Sequence, residues 1–135
     1  MEECVFCRIA KGELPCYKLY ESELVLAFLD INPITRGHAL VVPKRHVEKL
    51  SQLSGEEVKE VFSTAAKLAE AAVSALGAKG VNFWVNQGSV AGQVVKHFHA
   101  HVVPRYAEEE IKIEVRGEKL SEEEMKSIAE KVRVR

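Results

Sequence analysis

Cysteine, one-sided charge and long apolar runs are all scarce in this chain, and each scarcity narrows what it can be. Three cysteines among 135 residues are an odd number and give no disulfide framework. No apolar run approaches the roughly 18 residues that cross a bilayer, so no membrane partner is expected. The first fifteen residues hold no apolar core of a secretory signal, and the chain reads as cytosolic. Nineteen Lys and Arg stand against twenty Asp and Glu, a net charge of −1. A protein that grips a nucleic-acid polymer needs a basic face to neutralise many phosphates, so no such partner is expected. A small nucleotide needs only one local site. Repeats, low-complexity stretches and linkers are absent as well, which predicts one domain over residues 1–135.

What is present suits an α+β protein with a real core. Apolar residues make up 47% of the chain and charged residues 29%, a balance that excludes a disordered chain. Strands are predicted over 17–20, 24–29, 38–42, 81–85 and 97–103, with a further short one over 111–115, where apolar and charged residues alternate. Ser54-Gly55-Glu56-Glu57 is a capping box. After it, apolar residues at 58, 61, 62, 65, 69, 72, 73 and 76 make a helical stripe for packing on a sheet, and Gly77 is its natural stop. A second capping box, Ser121 to Glu124, predicts a C-terminal helix to about Val132. The fold expected is an antiparallel sheet with one long amphipathic helix and a C-terminal helix.

Chemistry concentrates in His97-Phe98-His99-Ala100-His101-Val102-Val103. Period two is strand period, so three imidazoles share one face while Phe98, Ala100 and Val102 pack on the other. Successive histidines on that face sit about 6.7 Å apart along the strand. A single zinc, with nitrogens about 2.0–2.1 Å away, cannot hold all three, so the labour is divided. A neutral imidazole is a nucleophile when Nδ1–H is fixed to an acceptor and Nε2 points at phosphorus. Asn86 to Gln93 is a short polar loop with two glycines, directly before the histidines and without the ending of a Walker A motif. Asp30 closes an apolar strand and is either a turn former or an acceptor for two ribose hydroxyls. Cys4-Val5-Phe6-Cys7 is a zinc half-site, a redox pair or chance; His46 and His97 are candidates to complete a zinc site. Cys16 is expected to be a small buried residue.

The pattern HFHAHVV resembles the signature of the histidine triad family of nucleotide-binding proteins. The likeness covers residues 4–105, in the order CVFCRIAKGELP, LAFLDINP, GHALVVPKRH, NQG and GQVVKHFHAHVVPR. It implies a family-type core over residues 1–106 with a tail over 107–135, an α+β fold of the same kind and a homodimer. It also implies hydrolysis or transfer of nucleoside monophosphates, commonly adenylate, through a covalent nucleotidyl-histidine. The same resemblance makes His99 the nucleophile, with His101 and His38 at the phosphoryl group or against neighbouring rings. Asn86, Gln93 and the Gly92 backbone become donors to phosphoryl oxygens. Asp30 takes the ribose, and Phe28, Ile31 and Leu40 form apolar walls for the base. Zinc-binding branches of the family imply a structural zinc on Cys4, Cys7, His46 and His97. One position departs: many relatives carry Ser or Thr where this chain has Val94, which removes a hydroxyl that can assist the leaving group. The rival function from another class is a nucleotide-binding regulatory module with a structural zinc and only incidental turnover.

Overall fold

The computed structural model describes residues 4–108, 111, 112 and 114–134. The apolar runs become the centre of a five-stranded antiparallel sheet. Its strands are β1 (Lys18–Glu21), β2 (Val25–Leu29), β3 (Ala39–Pro43), β4 (Gly80–Trp84) and β5 (Ala100–Arg105), in spatial order β1-β2-β3-β5-β4. Helices α1 (Val5–Ala10), α2 (Gly55–Leu76) and α3 (Glu122–Val132) complete the α+β architecture. Among the described residues, no helix is long and apolar enough to cross a membrane.

Strand alternation divides the sheet into two working faces. Val25, Ala27, Ala39, Val41, Ala100 and Val102 point to one side and form a core with Val61 and Ala65 of α2. Leu26, Phe28, Leu40 and Val42 point to the other and pack with Phe6 of α1. Both faces are covered, which is why β2 and β3 are apolar at successive positions rather than alternate ones. Leu40 pairs with His101 across β3 and β5, so the histidine face is the α1 face.

Helix α2 begins and ends where its sequence signals lie. Ser54 Oγ accepts from the Glu57 N–H at 3.1 Å, and Glu57 Oε1 accepts from the Ser54 N–H at 2.7 Å. Gly77 caps the other end at φ 75°. The apolar stripe is wider than the sheet beneath it: Val61, Ala65 and Ala72 are buried, whereas Phe62, Val73 and Leu76 stay 38%, 48% and 37% exposed. Gly37 sits where the chain turns into β3 with φ 87°, and a Cβ there would lie 2.7 Å from Leu76 Cδ1. Glycine therefore lets this loop close on the end of α2 and present His38 at the mouth of β3.

Two expectations need correcting, and one element was not predicted. The N-terminal segment holds a helix, α1, that strand and turn signals did not suggest; Cys4 is its N-cap, with Sγ accepting from the Cys7 N–H at 3.4 Å. The described residues of the predicted strand over 111–115, namely 111, 112, 114 and 115, are irregular, and residue 113 lies outside the described residues. Alternation without a partner strand leaves the backbone groups unpaired, so it does not suffice. The strand predicted from His97 enters the ladder only at Ala100. Residues 97–99 keep the alternation without a ladder partner, since β3 and β4 meet β5 from Ala100 and His101 onward.

Candidate active site

The α1 face of the sheet carries a pocket of about 610 Å³. Two smaller hollows, about 340 and 290 Å³, lie away from the histidines. Phe28, Ile31 and Leu40 line the large pocket together with Asp30, Asn86, Gly92, Val94, His99 and His101. Nine of the positions named from sequence therefore converge on one concavity.

The order of hydrogen bonds settles the tautomers. His99 Nδ1 lies 2.7 Å from the His97 carbonyl oxygen, and a carbonyl only accepts, so Nδ1 carries the proton. The Nε2 of the neutral ring keeps its lone pair. Burial pushes the His99 pKa below the usual imidazole value, against the carbonyl contact and Asp30, which pull it up; at neutral pH the ring is uncharged. A second chain starts at the Ile34 N–H, which donates to His38 Nδ1 at 3.1 Å. His38 Nε2 then carries the proton and donates it to His101 Nδ1 at 2.9 Å. His101 is left with an Nε2–H in the pocket wall. Its pKa is lowered to about 4, chiefly by burial and further by His99 and His38. The His99 and His101 rings are 5.0 Å apart, so one lone pair and one N–H stand side by side.

Asp30 follows β2 and shares a face with His38. Its Oδ1 accepts from the Asn32 N–H at 2.8 Å, and its Oδ2 lies 3.7 Å from His38 Nε2, too far for a hydrogen bond. Asn86 and Gly92 face each other across the glycine loop. The Asn86 Nδ2 donates to the Gly92 carbonyl at 3.4 Å, and a Cβ on Gly92 would come within 3.2 Å of that Nδ2. The φ of Gly92, 102°, adds a second reason for glycine.

Two side chains do not reach the pocket. Gln93 is buried and turned into its own loop: its Oε1 accepts from the Gly88 N–H at 2.9 Å and its Nε2 donates to the Glu48 carbonyl at 3.2 Å. The expectation of a Gln93 donor to phosphoryl oxygens is therefore corrected to a brace for the glycine loop. His38 stands behind His101, 2% exposed, and touches ligand space only through that ring. Cys16, expected in the core, is half-buried in the pocket wall.

Sequence reasoning missed the pocket's far wall, formed by Val5, Phe6 and Ile9 of α1 with Leu14 and Pro15. The spacing of Val5, Phe6, Ile9 and Ala10 is that of one helix face, a short signal that Cys4 and Cys7 interrupt.

Those cysteines close a second cluster behind His99. Cys4, Cys7, His46 and His97 each turn one ligand-type atom inward, all within 4.8 Å of one another. His97 Nε2 donates to the Pro43 carbonyl at 2.7 Å, which leaves Nδ1 as an acceptor facing Cys4 Sγ at 3.3 Å, Cys7 Sγ at 3.5 Å and His46 Nδ1 at 3.2 Å. Burial, a hydrogen bond from the Cys7 thiol to Cys4 and the charge of Cys4 raise the Cys7 thiol to about 11. The donor set thus suits a metal cation, which would stabilise both thiolates.

The geometry can be set beside known proteins. The chain is 39% identical over 130 residues to an adenosine 5′-monophosphoramidase of Schizosaccharomyces pombe, spanning 96% of this chain and 95% of that one. A crystal structure of a HIT family member from Bacillus subtilis superposes with a TM-score of 0.90 at 36% identity, covering 98% of each chain. A zinc-bound histidine triad family protein from Mycobacterium smegmatis superposes with a TM-score of 0.73 at 44% identity, over 77% of this chain and 76% of that one. The HIT domain profile matches residues 11–108, and this chain belongs to the HIT family.

Proposed function

We propose that this chain is a nucleotidyl hydrolase or transferase that cleaves adenosine monophosphate esters or phosphoramidates through a covalent nucleotidyl-His99 intermediate. The observation that carries the proposal is the 2.7 Å bond from His99 Nδ1–H to the His97 carbonyl, which leaves Nε2 as a bare lone pair in the pocket. That lone pair forms a bond to phosphorus. The bond from phosphorus to the leaving group breaks with its electron pair, and the leaving group takes a proton from solvent. The His97 carbonyl stabilises the cationic ring formed in this step. His101 Nε2–H donates a hydrogen bond to a phosphoryl oxygen or to the departing atom. Water, or another acceptor, then attacks phosphorus, loses its proton to solvent, and returns the electron pair to His99. His38 acts through His101 by holding its tautomer. Asp30 Oδ2 accepts from the ribose, Phe28, Ile31 and Leu40 flank the base, and Asn86 and the Gly92 backbone lie at the phosphate end. A module that only bound nucleotide would have no use for two tautomer-fixing chains that place a lone pair beside an N–H.

The Cys4, Cys7, His46 and His97 cluster is a structural zinc site in this proposal. Tetrahedral zinc with bonds of about 2.0–2.3 Å sets its ligand atoms about 3.3–3.8 Å apart, and the distances between 3.2 and 3.5 Å here suit it. Four protein ligands close the metal to substrate, so zinc would hold the protein rather than take part in the reaction. The proposal also includes a homodimer. Edge strand β4 has a partner on one side only, and its Phe83 is 51% exposed. Phe83→Asp is expected to turn a dimer into a monomer in sedimentation; a monomeric wild type would refute that part.

The covalent step is tested by quenching the enzyme with an adenylate donor in alkaline denaturant and weighing it. An adenylyl adduct on wild type, absent from His99→Ala, is expected, with a loss of turnover on the ~10⁴–10⁶-fold scale of a deleted nucleophile. Wild-type turnover in His99→Ala would end the covalent mechanism.

A further inference from the structure

Helix α1 belongs to two sites at once. Cys4 caps it and Cys7 lies in its first turn, so its N-terminal end belongs to the metal cluster. Its other side supplies Val5, Phe6 and Ile9 to the pocket wall. Six residues are too few for a helix to persist without anchorage, so its docking depends on what it touches. Phe6 touches most. Its ring lies 5.1 Å from that of His99 at 79°, 5.9 Å from His97 at 81°, and 5.6 Å from Phe28 at 65°. One buried aromatic ring therefore joins a metal ligand, the imidazole with the bare lone pair, and a wall of the base pocket.

We propose that Phe6 is a positioning residue through which the Cys4-Cys7-His46-His97 centre and the nucleotide pocket are coupled, so that zinc and nucleotide each raise the affinity of the other. The inference rests on the zinc and nucleotide assignments given under Proposed function. A cation on Cys4 and Cys7 holds α1 down, and that sets Phe6 against His99 and completes the wall. A nucleotide in the pocket presses on the same wall and disfavours the release of α1 that metal loss requires. Both ligands stabilise one docked state, and linkage makes their mutual effect equal in both directions.

The test is a zinc-buffered competition on the full chain, with and without saturating AMP. In wild type, AMP is expected to tighten zinc by about 5- to 150-fold, the usual range of coupling between sites. Zinc should tighten AMP by the same factor in calorimetry. Phe6→Leu should still bind one zinc and AMP, with the factor falling toward 1, and should lower kcat as well as raise KM because His99 loses its edge contact. Ile31→Ala is the control. Ile31 lines the pocket from outside α1 and is 78% exposed, so it should raise KM alone and keep the factor. A factor of 1 in wild type that binds AMP overturns the coupling and leaves the nucleotide site standing. An undiminished factor in Phe6→Leu overturns the role of Phe6. Wild type that binds no AMP refutes the nucleotide site and this inference together. The wild-type arm decides the coupling by itself if Phe6→Leu does not fold.

Discussion

Val94→Ser probes the motif position at which the family resemblance leads one to expect a Ser or Thr hydroxyl. Breaking a phosphorus–nitrogen or phosphorus–oxygen bond puts charge on the departing atom. Amines and alkoxides need help to leave, whereas a nucleotide phosphate spreads its charge over several oxygens. Valine offers only methyl groups at the pocket rim. The side chain there is 89% exposed, so the swap leaves no cavity and no buried hydroxyl, and folding should be unaffected. Its exposure also sets the size of the gain. A hydrogen bond to a charged group contributes about 1.5–3 kcal/mol when sheltered, and water competes strongly at an open rim. About 1 kcal/mol is therefore expected, roughly a fivefold change. The assay compares kcat/KM for two adenylates that differ only in leaving group, in wild type and Val94→Ser. The variant should gain about fivefold on the poor leaving group relative to the good one. An unchanged ratio in a variant that binds AMP normally would show that the hydroxyl is dispensable and that another group, His101 Nε2–H foremost, assists departure.

Three further outcomes are expected. Burial, His99 and His38 hold His101 at about 4 rather than 6.5, so protonation of this ring should leave kcat/KM untouched near pH 6.5 and reduce it only toward pH 4. Between those two values the unfolded chain binds the extra proton, so this group's contribution to stability is present above 6.5 and is lost as pH falls to 4. An acid limb centred at 6.5 or above would refute the assignment. Cys7→Ser should lose zinc by metal analysis and lower the melting temperature by about 8 °C or more, as expected for at least about 2 kcal/mol of metal-linked stability. An unaltered zinc content would exclude Cys7 as a ligand. Gln93→Ala should cost about 0.5–1.5 kcal/mol in denaturant unfolding, because the part-buried bonds from the Gly88 N–H and to the Glu48 carbonyl are lost. A fall in kcat with no loss of stability would instead return Gln93 to the phosphate.

Much of the scaffold was legible in residue order because its signals are local. The capping boxes at Ser54 and Ser121 and the stop at Gly77 depend on neighbours within one turn, and α2 and α3 lie where those signals put them. Alternation told which side chains of His97–Val103 share a face, and the histidines do oppose Phe98, Ala100 and Val102. The family likeness named the pocket positions on β2, β3 and the glycine loop. Alternation says nothing of whether a partner strand is available, so 111–115 reads as a strand although its described residues 111, 112, 114 and 115 are irregular. Tertiary structure alone decided the chemistry of the rings. Sequence assigns no proton to a histidine nitrogen; the His97 carbonyl does so for His99, and Ile34, through His38, does so for His101. Gln93 sits between two candidate phosphate contacts, yet its side chain is buried and turns to Gly88 and Glu48, because a buried amide needs partners of its own. The joining of α1 to both sites also lies beyond sequence, since Phe6 and His99 are brought together by packing across the sheet. Local order determines which faces exist, and only the packed chain determines which atoms on those faces meet.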